Sequence, residues 1–261
     1  MEPLVSVIVP FYNMEPFLAE TLDSILKSDY PAIEIVTIDD GSKDNSLAIA
    51  REYEKKYPIV SVYTQSNKGV CAARNAAISK AKGKYILPVD SDNLISPELI
   101  RLAVDEFKKD PDVKVVYPRA EFFGDRSGEW KLPEFSLRLL ARKNMIDTCA
   151  MYPRQEWERV NGYPEEVRTR EDWAFWISVL KDGGKVVRIP HTGLYYRIRP
   201  TSKRVTNRKF KSQVVDQLNK RHPEFFQREL NGPLRYHRSW SRIINSMPVL
   251  FQKWLGSIVK L

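Results

Sequence analysis

The sequence predicts an α/β protein built on a mostly parallel sheet with helices on both faces. Short apolar runs alternate with segments of helical periodicity between residues 4 and 117. Strands that are joined through helices of ten or more residues run parallel, because the crossover returns the chain to the same end of the sheet. The 261 residues, 43% of them hydrophobic, are enough to bury one substantial core.

Five strands are expected in this part of the chain, because each is a mostly apolar run rich in β-branched residues. They are residues 4–9, 34–38, 59–63, 85–89 and 113–117. The segments between them place apolar residues at helical spacing. Helices are therefore expected at residues 15–27, 45–56 and 69–82, and after Pro97.

The rest of the chain is less regular. Helices are expected near residues 134–143, 153–160 and 171–182, and short strands at 186–189 and 193–198. We assign residues 1–200 to one domain, with halves of about 1–117 and 118–200. Residues 201–261 form a basic helical C-terminal extension.

Positive charge is concentrated in that extension. Residues 201–261 hold 13 Lys/Arg and 3 Asp/Glu, a balance of +10, whereas residues 1–200 hold 29 and 30, a balance of −1. Such asymmetry is typical of a segment that meets phospholipid or nucleic acid, although a solvated helical face has the same composition.

Several protein classes are excluded by the composition. No apolar run approaches the roughly 20 residues of a membrane-spanning helix, and the N-terminus opens into a strand pattern rather than a signal peptide. Cys71 and Cys149 are too few for a disulfide framework or a cysteine-built zinc site. We expect a cytoplasmic protein.

Polar segments follow the predicted strands at residues 10–13, 39–42, 67–69 and 90–93. Ligands of open α/β sheets bind at the carboxyl ends of the strands, so these segments are expected to form the site. None of them is a glycine-rich phosphate loop, which argues against a dinucleotide fold or a nucleotidyltransferase.

Asp90 and Asp92 lie two residues apart at a strand end, so their carboxylates share a face. Such a pair suits Mg²⁺ or Mn²⁺, with phosphate oxygens completing the coordination shell. The spacing alone is weak evidence, and a second Asp-x-Asp at residues 110–112 is interpreted as a solvated turn.

Three further groups have both a functional and a structural interpretation. Asp39 and Asp40 either complement the start of a helix or accept from a nucleotide base. Arg74, with Asn75, either is ordinary helix surface or, at the rim of an acidic cleft, pairs with phosphate or holds a carboxylate in place. Glu171 and Asp172 either complement the dipole of a helix or, beside an apolar wall that includes Trp173, supply a general base with a raised pKa.

Five motifs, in this order, strongly resemble those of the family 2 glycosyltransferases: residues 6–13, 38–42, 69–75, 90–92 and 171–172. The resemblance covers about residues 4–200. It implies a GT-A fold with a Rossmann-like nucleotide-binding half at 1–117 and an acceptor half at 118–200.

The resemblance also implies roles for single residues. Asp172 matches the catalytic base, with Glu171 as its acidic neighbour and Trp173 beside it, and Asp92 matches the metal ligand. Asp39 is a further candidate. The residues implied to bind or support the donor are Pro10, Tyr12, Asp40, Arg74, Asn75, Asp90 and Arg199. Arg199 stands where many members have a histidine, so a metal contact there is not expected, but pairing with diphosphate is.

The implied reaction is inverting transfer of a hexosyl or N-acetylhexosaminyl group, with Mn²⁺ or Mg²⁺ neutralising the departing diphosphate. A UDP-sugar is the favoured donor. The expected acceptor is a lipid-linked saccharide or an oligosaccharide in cell-surface polysaccharide synthesis.

The sequence at the end of the extension is relevant to the kind of acceptor. Its apolar residues recur every three or four positions among Lys and Arg. This pattern is typical of a helix in an anionic membrane surface, here the inner face of the cytoplasmic membrane, although a helix packed on the protein has a similar pattern. The apolar residues are Ile244, Met247, Phe251, Trp254, Leu255 and Ile258.

The alternative function is that of a nucleotide-binding or nucleic-acid-binding protein without transferase activity. A basic extension is compatible with nucleic acid. An acidic cleft repels phosphates, however, and we expect no nucleic-acid partner.

Overall fold

The computed structural model describes residues 2–167, 169–199 and 211–235. In chain order its strands are β1 (Val5–Phe11), β2 (Ile33–Asp39), β3 (Val60–Thr64), β4 (Tyr85–Pro88), β5 (Leu94–Ile95), β6 (Val113–Gly124), β7 (Gly128–Glu129), β8 (Tyr152–Pro153) and β9 (Lys185–Ile198). Its helices are α1 (Leu18–Leu26), α2 (Ser46–Lys56), α3 (Val70–Lys80), α4 (Leu99–Lys109), α5 (Leu137–Leu140), α6 (Arg154–Arg159), α7 (Glu171–Leu180), α8 (Lys211–Arg221) and α9 (Pro223–Leu230).

The first sheet has the strand order β3-β2-β1-β4-β8. The first four of these strands are parallel, and β8 is antiparallel to β4. All seven residues of β1 are buried, as expected for a central strand that helices cover on both faces. The helix α4 buries Ile100, Ala103, Val104 and Phe107, which is the spacing of one helical face.

The second sheet has the order β5-β9-β6-β7, and its long central pair, β6 and β9, is parallel. A bridge between Val116 and Met151 joins β6 to the segment that precedes β8. The strand β5 follows Asp92 and pairs with β9 through Leu94 and Tyr195, so that the end of β9 lies near the carboxyl end of β4, where Asp92 and Arg199 meet.

Most predicted elements are confirmed, and the differences lie in the second half. The fifth strand, expected in the parallel sheet, is β6 of the second sheet, and the two-residue β8 takes the position beside β4. The two short strands expected at 186–189 and 193–198 are one strand, β9. The helix expected at 134–143 is only α5.

The described part of the C-terminal extension packs on the rest of the protein. Phe226 is fully buried in the same apolar cluster as Trp176 of α7. The residues of the extension in this cluster are Val214, Leu218, Phe225, Phe226, Leu230 and Leu234. The amphipathic pattern at residues 244–258 lies outside the described residues.

No helix in the described ranges is long and apolar enough to cross a bilayer.

Candidate active site

Loops that follow β1 and β2 are tied together at the carboxyl edge of the first sheet. The backbone N–H of Asn13 donates to Ser42 Oγ (3.0 Å), and the N–H of Lys43 donates to Asn13 Oδ1 (2.8 Å). Asn13 has a φ of +53°, a conformation that asparagine tolerates better than most residues. Tyr12, which is 39% exposed, is thereby presented at the edge, next to the buried Pro10.

Asp40 organises the loop between β3 and α3. Its Oδ1 accepts from the Gln65 side chain and from the N–H of Lys68 (both 2.8 Å), and its Oδ2 accepts from the N–H of Gly69 (2.9 Å). A carboxylate has about four acceptor positions, so one remains for a ligand. The three hydrogen bonds from this loop compensate for the burial of the Asp40 carboxylate.

Asp39 has a local role in the structure. Its Oδ1 accepts from the N–H of Ser42 (2.9 Å), three residues later, and its side chain is buried. This bond closes the turn after β2. The Ser42 hydroxyl of this turn accepts the hydrogen bond from the Asn13 N–H.

Arg74 of α3 joins the two acidic motifs of the site. Its Nη2 lies 2.8 Å from Asp90 Oδ1, and its Nη1 lies 2.9 Å from Glu171 Oε1. The side chain is only 2% exposed. Burial opposes the charge of the guanidinium, but the two carboxylates raise the pKa of Arg74 above its ordinary value. Of the interpretations of Arg74, the structure shows the one in which it holds carboxylates, and its burial excludes ordinary helix surface.

Asn75 supports the neighbouring loop. Its amide nitrogen donates to the Tyr163 carbonyl (2.9 Å) and to Glu165 (3.1 Å). Its amide oxygen accepts from the Trp157 indole (3.0 Å) and from the N–H of Tyr163 (2.8 Å). These four bonds hold the loop that leads into α7.

Asp92 is paired with the end of β9. Its Oδ2 lies 2.5 Å from Arg199 Nη2, and both side chains are less than 20% exposed. Burial, together with the charge of Asp90, raises the pKa of Asp92, while Arg199 opposes that shift. The two carboxylates of the Asp-x-Asp motif are thus each held by a different arginine.

Arg197 and Asn93, which received no separate role from the sequence, contact the Asp-x-Asp motif. Arg197 Nε donates to the Asp92 carbonyl (2.8 Å), and its backbone N–H donates to Asn93 Oδ1 (3.0 Å). The guanidinium also lies 4.9 Å from the ring of Phe17 and 4.3 Å from that of Phe123, and it pairs with Glu20. Arg197 lies in β9 and Arg199 directly follows the strand, and their spacing of two residues in the sequence is the signal that indicates a shared face of an extended chain.

Asp172 begins α7 next to Glu171. Its Oδ2 accepts from Asn144 Nδ2 (2.5 Å), and its Oδ1 accepts from the N–H of Trp173 (2.8 Å). Burial first, and then the charge of Glu171, raise the pKa of Asp172 to about 7. A carboxylate with this pKa can exchange a proton near neutral pH.

Trp173 fixes the start of α7. It is 3% exposed, and its indole N–H donates to the Leu140 carbonyl of α5 (2.6 Å). The helix that carries Asp172 is therefore held against the segment that carries Asn144.

Asp147 is the carboxylate that sequence reasoning missed. Its Oδ1 accepts from the N–H of Cys149 (2.9 Å). Burial, and then the charge of Asp90, raise the pKa of Asp147 to about 8, and Asp172 adds to the shift. Asp147 comes close to the site because β8 returns the chain to the edge of β4, a pairing that no local pattern encodes.

The donor atoms at Asp92 fit a divalent cation. Carboxylate oxygen is the ligand that Mg²⁺ and Mn²⁺ prefer. The guanidinium of Arg199 already pairs with the Asp92 carboxylate, so this position accommodates a positive charge. In the described parts of the chain, no three His, Cys, Asp or Glu side chains come together as a ready metal site. A metal at Asp92 would therefore need diphosphate oxygens and water as further ligands.

A cluster with these charges can bind a cation-neutralised diphosphate at Asp90 and Asp92 and accept a proton at Asp172. Arg74 fixes the position of the diphosphate-binding carboxylates relative to the proton acceptor, because it bonds both Asp90 and Glu171, the residue before Asp172.

Comparison with known proteins gives an independent result. A family model described as Glycosyl transferase family 2 matches residues 6–173. The glycosyltransferase EpsJ of Bacillus subtilis is 31% identical over 241 residues, which cover 85% of this chain and 68% of EpsJ. The chondroitin synthase of Escherichia coli is 29% identical over 186 residues, which cover 69% of this chain but only 27% of that protein. The chain thus spans about a quarter of that longer relative.

A solved structure shows the same fold. S. aureus TarS, residues 1–349, in complex with UDP-GlcNAc superposes with a TM-score of 0.71 and 23% sequence identity. The match covers 93% of this chain and 70% of the TarS chain.

Asp147 predicts a pH-dependent stability. The folded protein holds the proton of Asp147 more tightly than the unfolded chain does, since its pKa rises from 3.8 to about 8. This contribution to stability is complete below pH 3.8 and is lost as the pH rises through 8. Asp147→Asn stays neutral, so its melting temperature should exceed that of the wild type at pH 9 and match it near pH 4.

The check is a thermal melt of both proteins across this range. The exposed Asp182→Asn is the matched control and should follow the wild type at every pH. A constant difference between Asp147→Asn and the wild type at all pH values would contradict the titration.

Proposed function

Because the chain belongs to glycosyl transferase family 2, we propose that it is an inverting glycosyltransferase that moves a sugar from a nucleoside diphosphate to a saccharide acceptor. The GT-A fold expected from the sequence is confirmed by the family match and the TarS superposition. The observation that carries the proposed chemistry is the Asp172 carboxylate, which is joined to the Asp-x-Asp motif through Glu171, Arg74 and Asp90.

Asp172 is the proposed general base. It takes the proton of the acceptor hydroxyl as that oxygen attacks the anomeric carbon, and the sugar–phosphate bond breaks on the opposite side. A single displacement of this kind inverts the anomeric configuration and needs no nucleophile from the protein. Asn144 and the Trp173 N–H each bond one oxygen of Asp172, and the acceptor positions that remain on the carboxylate can orient the hydroxyl.

Loops at the carboxyl ends of β1, β2 and β3 form the proposed base pocket. Pro10 and Tyr12 supply its wall, and the remaining acceptor position of Asp40 suits a ring N–H of the base. UDP is the favoured diphosphate, and TarS, a protein of the same fold, was solved with UDP-GlcNAc. A hexosyl or N-acetylhexosaminyl group is the proposed cargo.

Asp92, with Asp90 beside it, is the proposed holder of Mn²⁺ or Mg²⁺. When bound, the metal supplies positive charge to the diphosphate as the leaving group departs. Arg74 orients the Asp90 side chain, and Arg197 holds the Asp92 backbone through its carbonyl.

A lipid-linked or oligosaccharide acceptor in bacterial polysaccharide synthesis is the proposed partner. This proposal rests on the similarity to chondroitin synthase and on the basic extension. The amphipathic, basic sequence of residues 244–258 suits binding to the anionic inner face of the cytoplasmic membrane, where a lipid-linked acceptor is available.

Loss of the base predicts loss of transfer with retained donor binding. For Asp172→Asn we expect transfer to fall by about 10² to 10⁴-fold, because proton removal is lost. Release of UDP from UDP-GlcNAc, with a lipid-linked saccharide fraction as acceptor, measures transfer. In the wild type the rate should rise with pH and be half-maximal near pH 7, since the base must be ionised and its pKa is about 7.

Asp182→Asn serves as the control for this substitution, because it removes an exposed carboxylate outside the site. Transfer by Asp172→Asn at a rate near that of the wild type would remove Asp172 from the mechanism.

The donor site predicts a metal-assisted thermal shift with one nucleoside diphosphate. A ligand that binds only the folded state raises the melting temperature by mass action. Among UDP, GDP, CDP and ADP, each with and without Mn²⁺, we expect UDP with Mn²⁺ to give the largest rise. A larger rise with another nucleotide would correct the base, and no rise with any of them would contradict the donor site.

The extension predicts binding to anionic vesicles. The full chain should sediment with vesicles that contain phosphatidylglycerol and remain in the supernatant with vesicles of phosphatidylcholine alone, and salt should release it. A chain shortened to residue 235 should lose this binding and keep its melting temperature. Equal recovery of both chains in the supernatant would contradict membrane association.

A further inference from the structure

A pocket lies at the edge of the second sheet, between β6 and the residues at the end of β7. None of the residues proposed to bind the donor, hold the metal or take the proton lines it. Its volume of about 290 Å³ is close to the roughly 300 Å³ at which pockets for small ligands begin. This size suits one sugar unit better than a longer chain. The polar and aromatic residues that line it are Arg119, Glu129, Trp130, Lys131 and Arg188.

Trp130 is held in place as one wall of this pocket. Its backbone N–H donates to the Ala120 carbonyl of β6 (2.8 Å). Its ring stacks on Phe122, with ring centroids 5.4 Å apart, and meets Tyr196 edge to face at the same distance. The side chain nevertheless stays partly exposed. A fixed indole suits a sugar ring, because the C–H face of the sugar is apolar and packs on an aromatic surface.

Three cations line the pocket without a carboxylate partner. In the described parts of the chain, no ion pair includes Arg119, Lys131 or Arg188. Arg188 is positioned by a neutral group, because its Nη1 donates to the Leu132 carbonyl (2.7 Å). The one carboxylate in the lining, Glu129, can accept hydrogen bonds from hydroxyl groups. These charges suit a ligand that carries both an anionic group and hydroxyls.

We propose that this pocket binds an anionic saccharide. The sugar ring packs on Trp130, and Glu129 accepts from its hydroxyls. The carboxylate or phosphate group of the saccharide pairs with the three cations. This inference rests on the proposed function and deepens it: the acceptor is an anionic saccharide, and the pocket holds one of its units apart from the hydroxyl that reacts.

Two consequences follow from this separation. An anionic sugar binds without donor or metal, because the lining contains no donor-site residue. In the transfer reaction the pocket contributes to binding of the acceptor rather than to the chemical step. Loss of its cations should therefore raise the KM for the acceptor and leave kcat nearly unchanged.

The test compares the full wild-type chain with Arg119→Gln/Lys131→Gln and with Trp130→Leu. Saturation-transfer NMR titrations in EDTA measure the binding of glucuronic acid, glucose 6-phosphate and glucose, which share a ring and differ in the anionic group. The matched control is Lys109→Gln/Arg228→Gln, which removes two positive charges from exposed side chains outside the pocket. Melting temperatures establish that each variant is folded.

We expect at least one anionic sugar to bind the wild type about 10-fold more tightly than glucose, as for a charge-assisted hydrogen bond. Arg119→Gln/Lys131→Gln should weaken this binding by about 10-fold, and the control by less than about 2-fold. Trp130→Leu should also weaken it. The tighter of the two anionic sugars identifies the group as carboxylate or phosphate, and either supports the proposal. In the UDP-release assay, Arg119→Gln/Lys131→Gln should need more of the lipid-linked saccharide fraction for half-maximal rate and should reach the same maximal rate.

Equal binding of the anionic sugars and glucose, or equal weakening in the control, would overturn the pocket while leaving the UDP thermal shift intact. A single-stranded oligonucleotide whose binding falls in both pocket variants would also overturn it, in favour of a nucleic-acid strand, which needs a continuous basic groove. If the anionic sugar binds but no nucleoside diphosphate shifts the melting temperature with Mn²⁺, the donor site fails, and the role of the sugar as acceptor fails with it.

Discussion

One buried guanidinium is the constraint on which the site depends. Arg74 is almost completely removed from water, and it is compensated by Asp90 at the end of β4 and by Glu171 at the start of α7. A buried charge is tolerated only when its partners are in place. The Asp-x-Asp motif after β4 and the helix that carries Asp172 must therefore meet at α3, although 80 residues of sequence lie between Asp90 and Glu171.

The other carboxylates of the site are arranged around this contact, and each has its own partners. Asp90 and Glu171 share Arg74, Asp92 pairs with Arg199, and Asp40 accepts hydrogen bonds from its loop. Asp172 has only Asn144 and one backbone N–H, and burial beside Glu171 raises its pKa to about 7. Asp172 and Asp147, which pair with no arginine among the described residues, are the carboxylates of this cleft whose pKa values rise to about 7 and about 8, and so they can hold a proton near neutral pH.

Local patterns predicted the first sheet and the residues at its carboxyl edge, because period and turn chemistry are encoded within a few residues. They did not predict that β6 leaves the first sheet for the second, since strand partners are chosen by long-range packing. Asp147 was missed for the same reason: only the pairing of β8 with β4 brings it near Asp90. The two functional interpretations of Arg74 could not be separated by sequence, because a guanidinium suits phosphate and carboxylate equally, and only the contacts show which group it meets. Asn75 likewise forms hydrogen bonds to the loop at 157–165. The residues next to Asn75 in the sequence do not indicate this long-range contact.

The most direct test of this account is the free energy of unfolding of Arg74→Met, measured by denaturant titration at pH 7. The account predicts a loss of about 3 to 5 kcal/mol, because two carboxylates are left without their buried partner. The exposed Arg101, which pairs with Asp29, is the matched comparison, and Arg101→Met should cost less than about 1 kcal/mol. Adding Glu171→Gln to Arg74→Met should recover part of the loss. Equal, small losses for the two arginine substitutions would contradict the claim that Arg74 holds the site together.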